Sequence, residues 1–214
     1  MHKLIFITLV IEPHVVISST NESMSRSLEQ ARKWLSTCRN EHELCSVKRG
    51  LELPTRLAKV ERTGQTLFAQ LCESQSLASD TEYVTLSHCW GKSPFLTLMK
   101  ENFHQMKVSI PIALIPQVFQ DAILVAIELG FQYIWIDSLC IIQNSDGGVD
   151  WLQESPTMDR IYSGSVCNLS ATGFYDGRKG LFVSMSKGEV FSPSIDCSKF
   201  VPNNIGYSIM SVND

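Results

Sequence analysis

The middle of the sequence holds two short apolar runs on either side of one strongly periodic helix, and this arrangement constrains the fold most. Residues 83–87 alternate and include β-branched and aromatic side chains, whereas residues 133–137 are almost wholly apolar. Both patterns are typical of strands, the second of a strand covered on both faces. Between them, apolar residues recur at the spacing of one helix face: Phe119, Ala122, Ile123, Ala126 and Ile127. The order strand, helix, strand predicts a parallel crossover connection.

This helix has a proline, Pro116, where the first turn tolerates one, and a glycine, Gly130, where it should stop. A further strand is predicted at residues 166–171. We therefore expect an α/β fold, Rossmann-like or flavodoxin-like, with a mostly parallel sheet flanked by helices.

The size and composition are those of an ordinary globular protein. A chain of 214 residues is within the range of one large α/β domain, so we expect one core with an extension. Hydrophobic residues make up 44% and charged residues 19%, which argues against disorder, collagen-like repeats and a membrane bundle. The net charge of −4 and the lack of a basic stripe interleaved with aromatic residues predict that the chain does not bind nucleic acid.

An apolar run at residues 4–11 is either a buried strand or part of a targeting segment. It ends at Glu12 and Pro13, and no A-x-A-like cleavage site follows it. A helix that spans a bilayer needs about 20 apolar residues, so we expect no membrane span. The β-branched residues of the run favour a strand, and residues 14–18 are a second candidate strand.

Seven scattered cysteines, an odd number, predict reduced thiols in a cytoplasmic protein. Cys38, His42 and Cys45 offer three potential zinc ligands at short spacing. A structural zinc site needs a fourth ligand, and none is near in the sequence. The alternative is a continuing helix whose apolar face includes Leu28, Ala31, Leu35 and Cys38, since cysteine also packs as a small hydrophobe. We therefore assign no metal.

Polar residues close both central strands, and ligands of open parallel sheets bind beyond such carboxyl ends. We predict a substrate-binding surface there from two groups: Ser87, His88, Trp90 and Gly91 after the first strand, and Asp137, Ser138 and Cys140 after the second. A third polar group, Asp150, Trp151 and Glu154, follows the turn at residues 146–148.

Cys140, His88 and Asp137 are the residue types of a thiol-nucleophile triad, which strand ends can bring together. The alternative is that His88 and Cys140 are partly buried packing residues. Ser87, His88, Trp90 and Asp137 then form a structural hydrogen-bond cluster across neighbouring strand ends.

Several blocks of sequence together resemble the successive signatures of the fungal heterokaryon-incompatibility (HET) domain. The strongest are YVTLSHCWG at residues 83–91, FQDAI at 119–123 and WIDSLCIIQ at 135–143; DWLQE at 150–154 and GLF at 180–182 follow in order. LPTRL at residues 53–57 resembles a segment that often precedes the domain.

From this resemblance we expect an N-terminal extension at residues 1–78 that packs on the core, a HET domain at 79–185 and a C-terminal segment at 186–214. HET proteins usually continue well beyond the domain, so we expect this last segment to be truncated.

The resemblance implies a role in fungal self/non-self recognition and programmed cell-death signalling, and a fold similar to TIR domains. We expect the chain to associate with itself or with a protein partner and to require no cofactor. TIR-like relatives include enzymes that cleave NAD, with the catalytic glutamate in a W-x-x-E arrangement, and Trp151 and Glu154 match that spacing. By this analogy Glu154 is the candidate catalytic carboxylate and NAD the candidate substrate.

A carboxylate at this place would stabilise the oxocarbenium-like state of nicotinamide–ribose cleavage, and Trp151 or Trp90 would stack on a flat ring. The alternative is a solvated helix glutamate beside a core tryptophan. Pro156 interrupts the helical pattern, and an interior proline costs about 3 kcal/mol. We therefore expect Ser155 to cap a new helix and Glu154 to lie on a loop.

Overall fold

The sheet at the centre of the fold is mixed. The computed structural model describes residues 6–7, 20–41, 52–171 and 180–182, with side chains described from residue 26 onward. In these ranges the sheet has six strands: β1 (Phe6–Ile7), β2 (Arg56–Thr63), β3 (Thr66–Glu73), β4 (Val84–Ser87), β5 (Tyr133–Trp135) and β6 (Asn168–Ser170). Their spatial order is β1, β6, β4, β5, β2, β3.

Helices flank this sheet. Those in the described ranges are α1 (Thr20–Glu41), α2 (Phe103–Val108), α3 (Gln117–Glu128), α4 (Asp137–Cys140), α5 (Val149–Glu154) and α6 (Met158–Gly164). None of these helices is both long enough and apolar enough to cross a membrane.

The predicted crossover is confirmed, because β4 and β5 are parallel neighbours joined through α3. The helix buries Phe119, Ala122, Ile123 and Ala126 against the sheet. Gly130, with φ of 90°, follows its last turn, a left-handed conformation that glycine adopts without steric strain. The strand predicted at residues 166–171 is β6, which pairs in parallel with β4.

The hairpin of β2 and β3 makes the sheet mixed and differs from the prediction. Three strand pairings are parallel, but β2 pairs antiparallel with both β3 and β5. Thr63 pairs with Thr66, so Gly64 and Gln65 form a two-residue loop, and Gly64 has a φ of 60°. A glycine in a two-residue loop between β-rich runs is a hairpin signal. Neither β2 nor β3 was predicted from the sequence, because this signal was overlooked.

Helix α1 has the predicted buried stripe of Leu28, Ala31, Leu35 and Cys38, although it begins at Thr20, earlier than its apolar pattern indicated. Arg32 ties it to the end of α3, because its Nη2 lies 2.9 Å from Glu128 Oε2. His42, Cys45, the strand predicted at 14–18 and the segment 186–214 lie outside the described residues.

The prediction for Pro156 was wrong. Helix α5 runs to Glu154, and the 3₁₀ turn Ser155–Thr157 leads directly into α6. Ser155 has helical angles, φ −59° and ψ −38°, so it is not a cap. Pro156 is tolerated because it starts a new helical turn, where its missing N–H has no helical acceptor to lose. Glu154 therefore ends a helix and does not lie on a loop.

Candidate functional site

The parallel pairing of β4 and β5 brings the two predicted polar groups to one edge of the sheet. Trp90 Nε1 donates a hydrogen bond to Asp137 Oδ2 at 2.8 Å. Asp137 Oδ1 accepts the backbone N–H of Ser138 at 2.6 Å. We call His88, Trp90 and Asp137 the strand-end cluster. Its carboxylate is held from both oxygens, so the tryptophan ring has a fixed place.

His88 is the buried member of this cluster. Its Nδ1 lies 3.8 Å from Asp137 Oδ1, and its ring packs edge-on against Phe119 with the ring centroids 4.7 Å apart. Burial lowers the pKa of His88, and the Asp137 carboxylate opposes that shift. Among the described residues its Nε2 is buried without a hydrogen-bond partner. The imidazole is therefore neutral near pH 7, with one polar atom unsatisfied.

An open aromatic depression of about 210 Å³ lies beside the strand-end cluster. It is lined by His88, Cys89, Trp90, Ser93, Pro94, Phe95, Leu114, Ile115, Pro116 and Phe119. No carboxylate, ammonium or guanidinium group is among the lining residues. The depression can therefore hold an uncharged apolar or aromatic group.

The remaining predicted residues at the strand ends lie outside the strand-end cluster. Ser87 Oγ accepts a hydrogen bond from Asn168 Nδ2 at 2.8 Å, so it faces β6. Gly91 lies in an exposed turn with a φ of 69°. Ser138 is buried, and its carbonyl accepts the N–H of Leu98 at 2.8 Å. Trp90 and Asp137 do bond across the strand ends, as the structural alternative held, whereas Ser87 bonds elsewhere.

A buried charged group, which we call the Arg56 cluster, contains Arg56, Asp150 and Glu154. Arg56 Nη2 lies 2.5 Å from Asp150 Oδ2 and 3.9 Å from Glu154 Oε1, and its Nε donates to the carbonyl of Cys140 at 2.7 Å. Asp150 Oδ2 also accepts the N–H of Ile142 at 2.7 Å. Both carboxylates project from α5, one turn apart, towards the start of β2. The cluster thus ties β2, α4 and α5 together.

The structure places the two members of the W-x-x-E pair in opposite environments. The side chain of Glu154 is only 8% exposed and lies beside Arg56, whereas Trp151 is 52% exposed. Neither residue lines the aromatic depression. The glutamate is therefore an internal ion-pair partner in this conformation, and the tryptophan is a surface residue.

Cys140 has the environment of a packing residue. It is buried, and burial raises the pKa of its thiol to about 12. A nucleophilic cysteine acts as the thiolate, and a thiol with this pKa is protonated near pH 7. The surroundings of Cys140 therefore give a thiol-hydrolase reading no support.

Asp121 connects two of the family-signature segments, FQDAI at residues 119–123 and GLF at residues 180–182. Its Oδ2 accepts the N–H of Leu181 at 2.8 Å, and its Oδ1 accepts from Gln117 Nε2 at 2.8 Å. Gly180 has a φ of 79°, and a Cβ there would lie 2.2 Å from Asp121 Oδ2. The GLF block thus packs against α3 so closely that a Cβ on Gly180 would force the Asp121 carboxylate to move.

Sequence reasoning missed Arg56 as an anchor and Phe95 and Leu114 as lining residues. An arginine inside the largely apolar start of a strand was the available signal for the first, because such residues are rarely buried unpaired. No local pattern marks Phe95 or Leu114.

Among the described residues, no group of three or more His, Cys, Asp or Glu side chains could hold a metal ion.

Comparison with known proteins gives one match. The family model described as heterokaryon incompatibility protein (HET) matches residues 83–197. No curated protein and no solved structure matches the chain. The matched region covers more than half of the sequence and contains both strand ends, Asp121 and α5. The chain therefore belongs to the heterokaryon incompatibility family.

Proposed function

We propose that this chain is a signalling module of fungal self/non-self recognition, which passes on a cell-death signal by associating with itself or with a protein partner. Family membership supports a role in heterokaryon incompatibility. The observation that carries the choice of a non-enzymatic mechanism is the state of Glu154. Its carboxylate is buried beside Arg56, and Glu154 is not among the residues that line the depression.

The solvent-facing groups have the character of a contact surface. Trp90 is 41% exposed, and Trp151 and Leu152 of α5 are also exposed. Tryptophan residues are enriched among the side chains that dominate binding energy at protein interfaces. Protein contact therefore needs no rearrangement of the Arg56 cluster, whereas catalysis by Glu154 would need one.

Inducible clustering in fungal cells tests this proposal. We expect the chain fused to a chemically induced dimeriser to reduce viability only when the inducer is present. The matched control is the same fusion with Ile134→Asp, which puts a charge in the core and removes the fold. Full viability with the native fusion clustered, at equal expression, would refute the proposal.

NAD cleavage by a TIR-like mechanism is the second candidate. The aromatic depression beside the carboxyl ends of β4 and β5 favours it, because ligands of open α/β sheets bind at this edge. Trp90 would face a flat ring, and Glu154 would have to leave Arg56 to reach the reacting bond. NAD would be the substrate, with no resident cofactor.

Release of nicotinamide from NAD at high protein concentration separates the candidates. Glu154→Gln and Asp150→Asn form a matched pair, because both remove one carboxylate charge from the Arg56 cluster. A catalytic Glu154 predicts loss of release in Glu154→Gln alone when both variants melt at similar temperatures. Equal release from native protein and Glu154→Gln removes the enzymatic candidate.

A further inference from the structure

Helix α5 is attached to the fold in a different way from the other helices. Each of the other five described helices buries at least one apolar side chain, whereas the only buried residue of α5 is Glu154. Its three large apolar residues, Val149, Trp151 and Leu152, are each more than half exposed. Burial of apolar surface is the main force that holds an element to a core. Polar contacts must therefore keep α5 in place.

These polar contacts lie on the inward face of α5 and meet at Arg56. Asp150 and Glu154 are one helical turn apart, and Arg56 Nη2 is 2.5 Å from Asp150 Oδ2 but 3.9 Å from Glu154 Oε1. Asp150 Oδ2 also accepts the N–H of Ile142. The separation of Arg56 Nη2 and Glu154 Oε1 is too long for a hydrogen bond, so charge attraction alone acts between these two atoms.

The Arg56 cluster places two carboxylates around one guanidinium. Carboxylates four residues apart on a helix repel each other, and solvent screens buried charges much less than exposed ones. The attraction of Arg56 opposes this repulsion. If α5 moved away, both carboxylates would regain their hydration. The position of α5 in the structure therefore depends on Arg56.

The chain on either side of α5 allows such a movement. Gly147 and Gly148, immediately before the helix, have φ values of 62° and 70°, and a Cβ on either would meet no described atom within 4 Å. Two successive glycines without close packing can change their backbone angles at small cost, as hinge residues do. After the helix, the 3₁₀ turn Ser155–Thr157 separates α5 from α6.

The chain beyond these two hinges is attached to the body of the fold. Before the glycines, the N–H of Gln143 donates to the Leu98 carbonyl at 2.9 Å. After the turn, Tyr162 of α6 packs edge-on against Trp135 of β5 with ring centroids 5.5 Å apart. Segments that bury little apolar surface are those that open locally in native proteins. Movement is therefore confined to residues 147–157.

We propose that α5 is a strap with two positions, hinged at Gly147 and Gly148 and held in its closed position by Arg56. Opening moves the helix away from the start of β2 and exposes its two inward carboxylates to solvent. The strap thereby decides whether Glu154 is accessible to another molecule. This device goes beyond the proposed function, because it acts in the same way whether the chain signals by association or cleaves NAD.

The residue that closes the strap belongs to a part of the chain outside the family match. Arg56 is the first residue of β2, whereas α5 lies within residues 83–197. A ligand shifts an equilibrium between two states by its difference in affinity for them. A molecule that binds only the open strap, or that displaces the start of β2, would therefore release Glu154. The strap gives the hairpin of β2 and β3 a means of regulating the family-matched region.

Native-state hydrogen exchange tests for the strap without any substitution. The reporters are the amides of residues 153–155, of which Ser155 donates to the Trp151 carbonyl. Local opening exposes little surface, so its free energy depends weakly on denaturant, whereas that of global unfolding depends strongly. We expect exchange of the reporter amides to change little across low urea concentrations, while amides of β5 exchange faster as urea is added. Equal urea dependence in α5 and β5 would overturn the proposal.

Arg56→Gln removes the group that closes the strap, and Arg62→Gln is the matched control in the same strand. Arg62 also pairs with a carboxylate, Glu128 Oε1 at 2.6 Å, but its side chain is far more exposed. The reporter amides should exchange at least about 100-fold faster in Arg56→Gln, because breaking a buried ion pair shifts an equilibrium by that factor or more. Their exchange should be unchanged in Arg62→Gln. Continued protection of the β5 amides would show that Arg56→Gln is folded with its strap open.

Asp150→Asn separates a shared ion pair from two independent losses of stability. In the native background this change weakens the attraction to Arg56, so the reporter amides should exchange faster. In the Arg56→Gln background it should slow their exchange, because it removes a carboxylate that has no counter-charge. Faster exchange by the same factor in both backgrounds, or native exchange rates in Arg56→Gln, would refute the strap. The viability test of clustering in fungal cells is separate, so failure of the strap is distinguishable from failure of the proposed function.

Discussion

The Arg56 cluster and the strand-end cluster meet at a single helical turn, but they differ in whether their buried polar groups have partners. Helix α4 provides the Asp137 carboxylate to one and the Cys140 carbonyl to the other. In the Arg56 cluster the guanidinium bonds to a carboxylate and a carbonyl while almost wholly buried. In the strand-end cluster, His88 Nε2 has no partner among the described residues, and Trp90 is partly exposed.

The Arg56 cluster therefore holds the fold, whereas the strand-end cluster combines an unpaired buried atom with an exposed tryptophan. Buried polar groups are normally hydrogen-bonded, and an unsatisfied one in a native protein calls for an explanation. Local conflicts of this kind concentrate at functional sites. The depression beside His88 is therefore the better candidate for contact with other molecules, although the W-x-x-E spacing drew attention to Glu154.

Removal of the guanidinium should have the largest effect on stability. Arg56→Gln leaves Asp150 and Glu154 without their counter-charge and the Cys140 carbonyl without its donor. We expect the free energy of unfolding to fall by about 3–5 kcal/mol, as for one partner of a buried ion pair. Urea denaturation measures this change.

The matched control is Arg62→Gln. Arg62 pairs with Glu128 Oε1 at 2.6 Å, but its side chain is far more exposed, so the loss should be about 0–1 kcal/mol. Similar losses in both variants would mean that the Arg56 cluster does not hold the fold.

Substitution of Gly180 tests the close approach of this residue to Asp121. The added methyl group of Gly180→Ala would lie 2.2 Å from Asp121 Oδ2 at a φ of 79°. We expect a loss of about 2–4 kcal/mol from backbone strain together with overpacking. Gly64→Ala is the control, because Gly64 has a φ of 60° but no atom within 4 Å of the added group. Gly64→Ala should lose about 1 kcal/mol of stability from backbone strain alone. Equal melting temperatures of the two variants would contradict the close contact between Gly180 and Asp121.

The core elements could be predicted from the sequence because their signals are local. The spacing of Phe119 to Ile127 identifies α3, and the run at residues 133–137 identifies β5, without reference to any distant residue. The stripe on α1 was visible for the same reason. Local periodicity thus placed the helix and the strands of the parallel crossover.

The rest depends on contacts between residues far apart in sequence. No local pattern shows that β2 lies between β5 and β3, or that Arg56 reaches Asp150 and Glu154. Glu154 and Trp151 match one spacing, yet burial assigns them different surroundings, and burial is a property of the assembled fold. The depression similarly combines residues after β4 with residues before α3.

Trp90→Phe, in the strand-end cluster, should lower the free energy of unfolding by less than Arg56→Gln or Gly180→Ala. This change removes the N–H that Asp137 accepts at 2.8 Å but keeps an aromatic ring. Because the tryptophan is partly exposed and water can replace the bond, we expect about 1 kcal/mol of destabilisation. Leu114→Ala, at an exposed rim position, should lose no more than about 0.5 kcal/mol. If Trp90→Phe is as harmless as that control, the hydrogen bond does not fix the wall of the depression.

The smallest expected effect is a dependence of stability on pH that arises from His88. Burial lowers its pKa in the folded state below the ordinary value, which the unfolded state retains, and Asp137 partly offsets this shift. Below about pH 6.5 the unfolded chain therefore binds a proton that the folded chain does not, so stability falls as the solution becomes more acidic. Native protein should lose more stability than His88→Gln between pH 7.5 and pH 5.5. Thermal melts across this range measure the difference, and parallel pH profiles for the two proteins would show that the imidazole is not held neutral by burial.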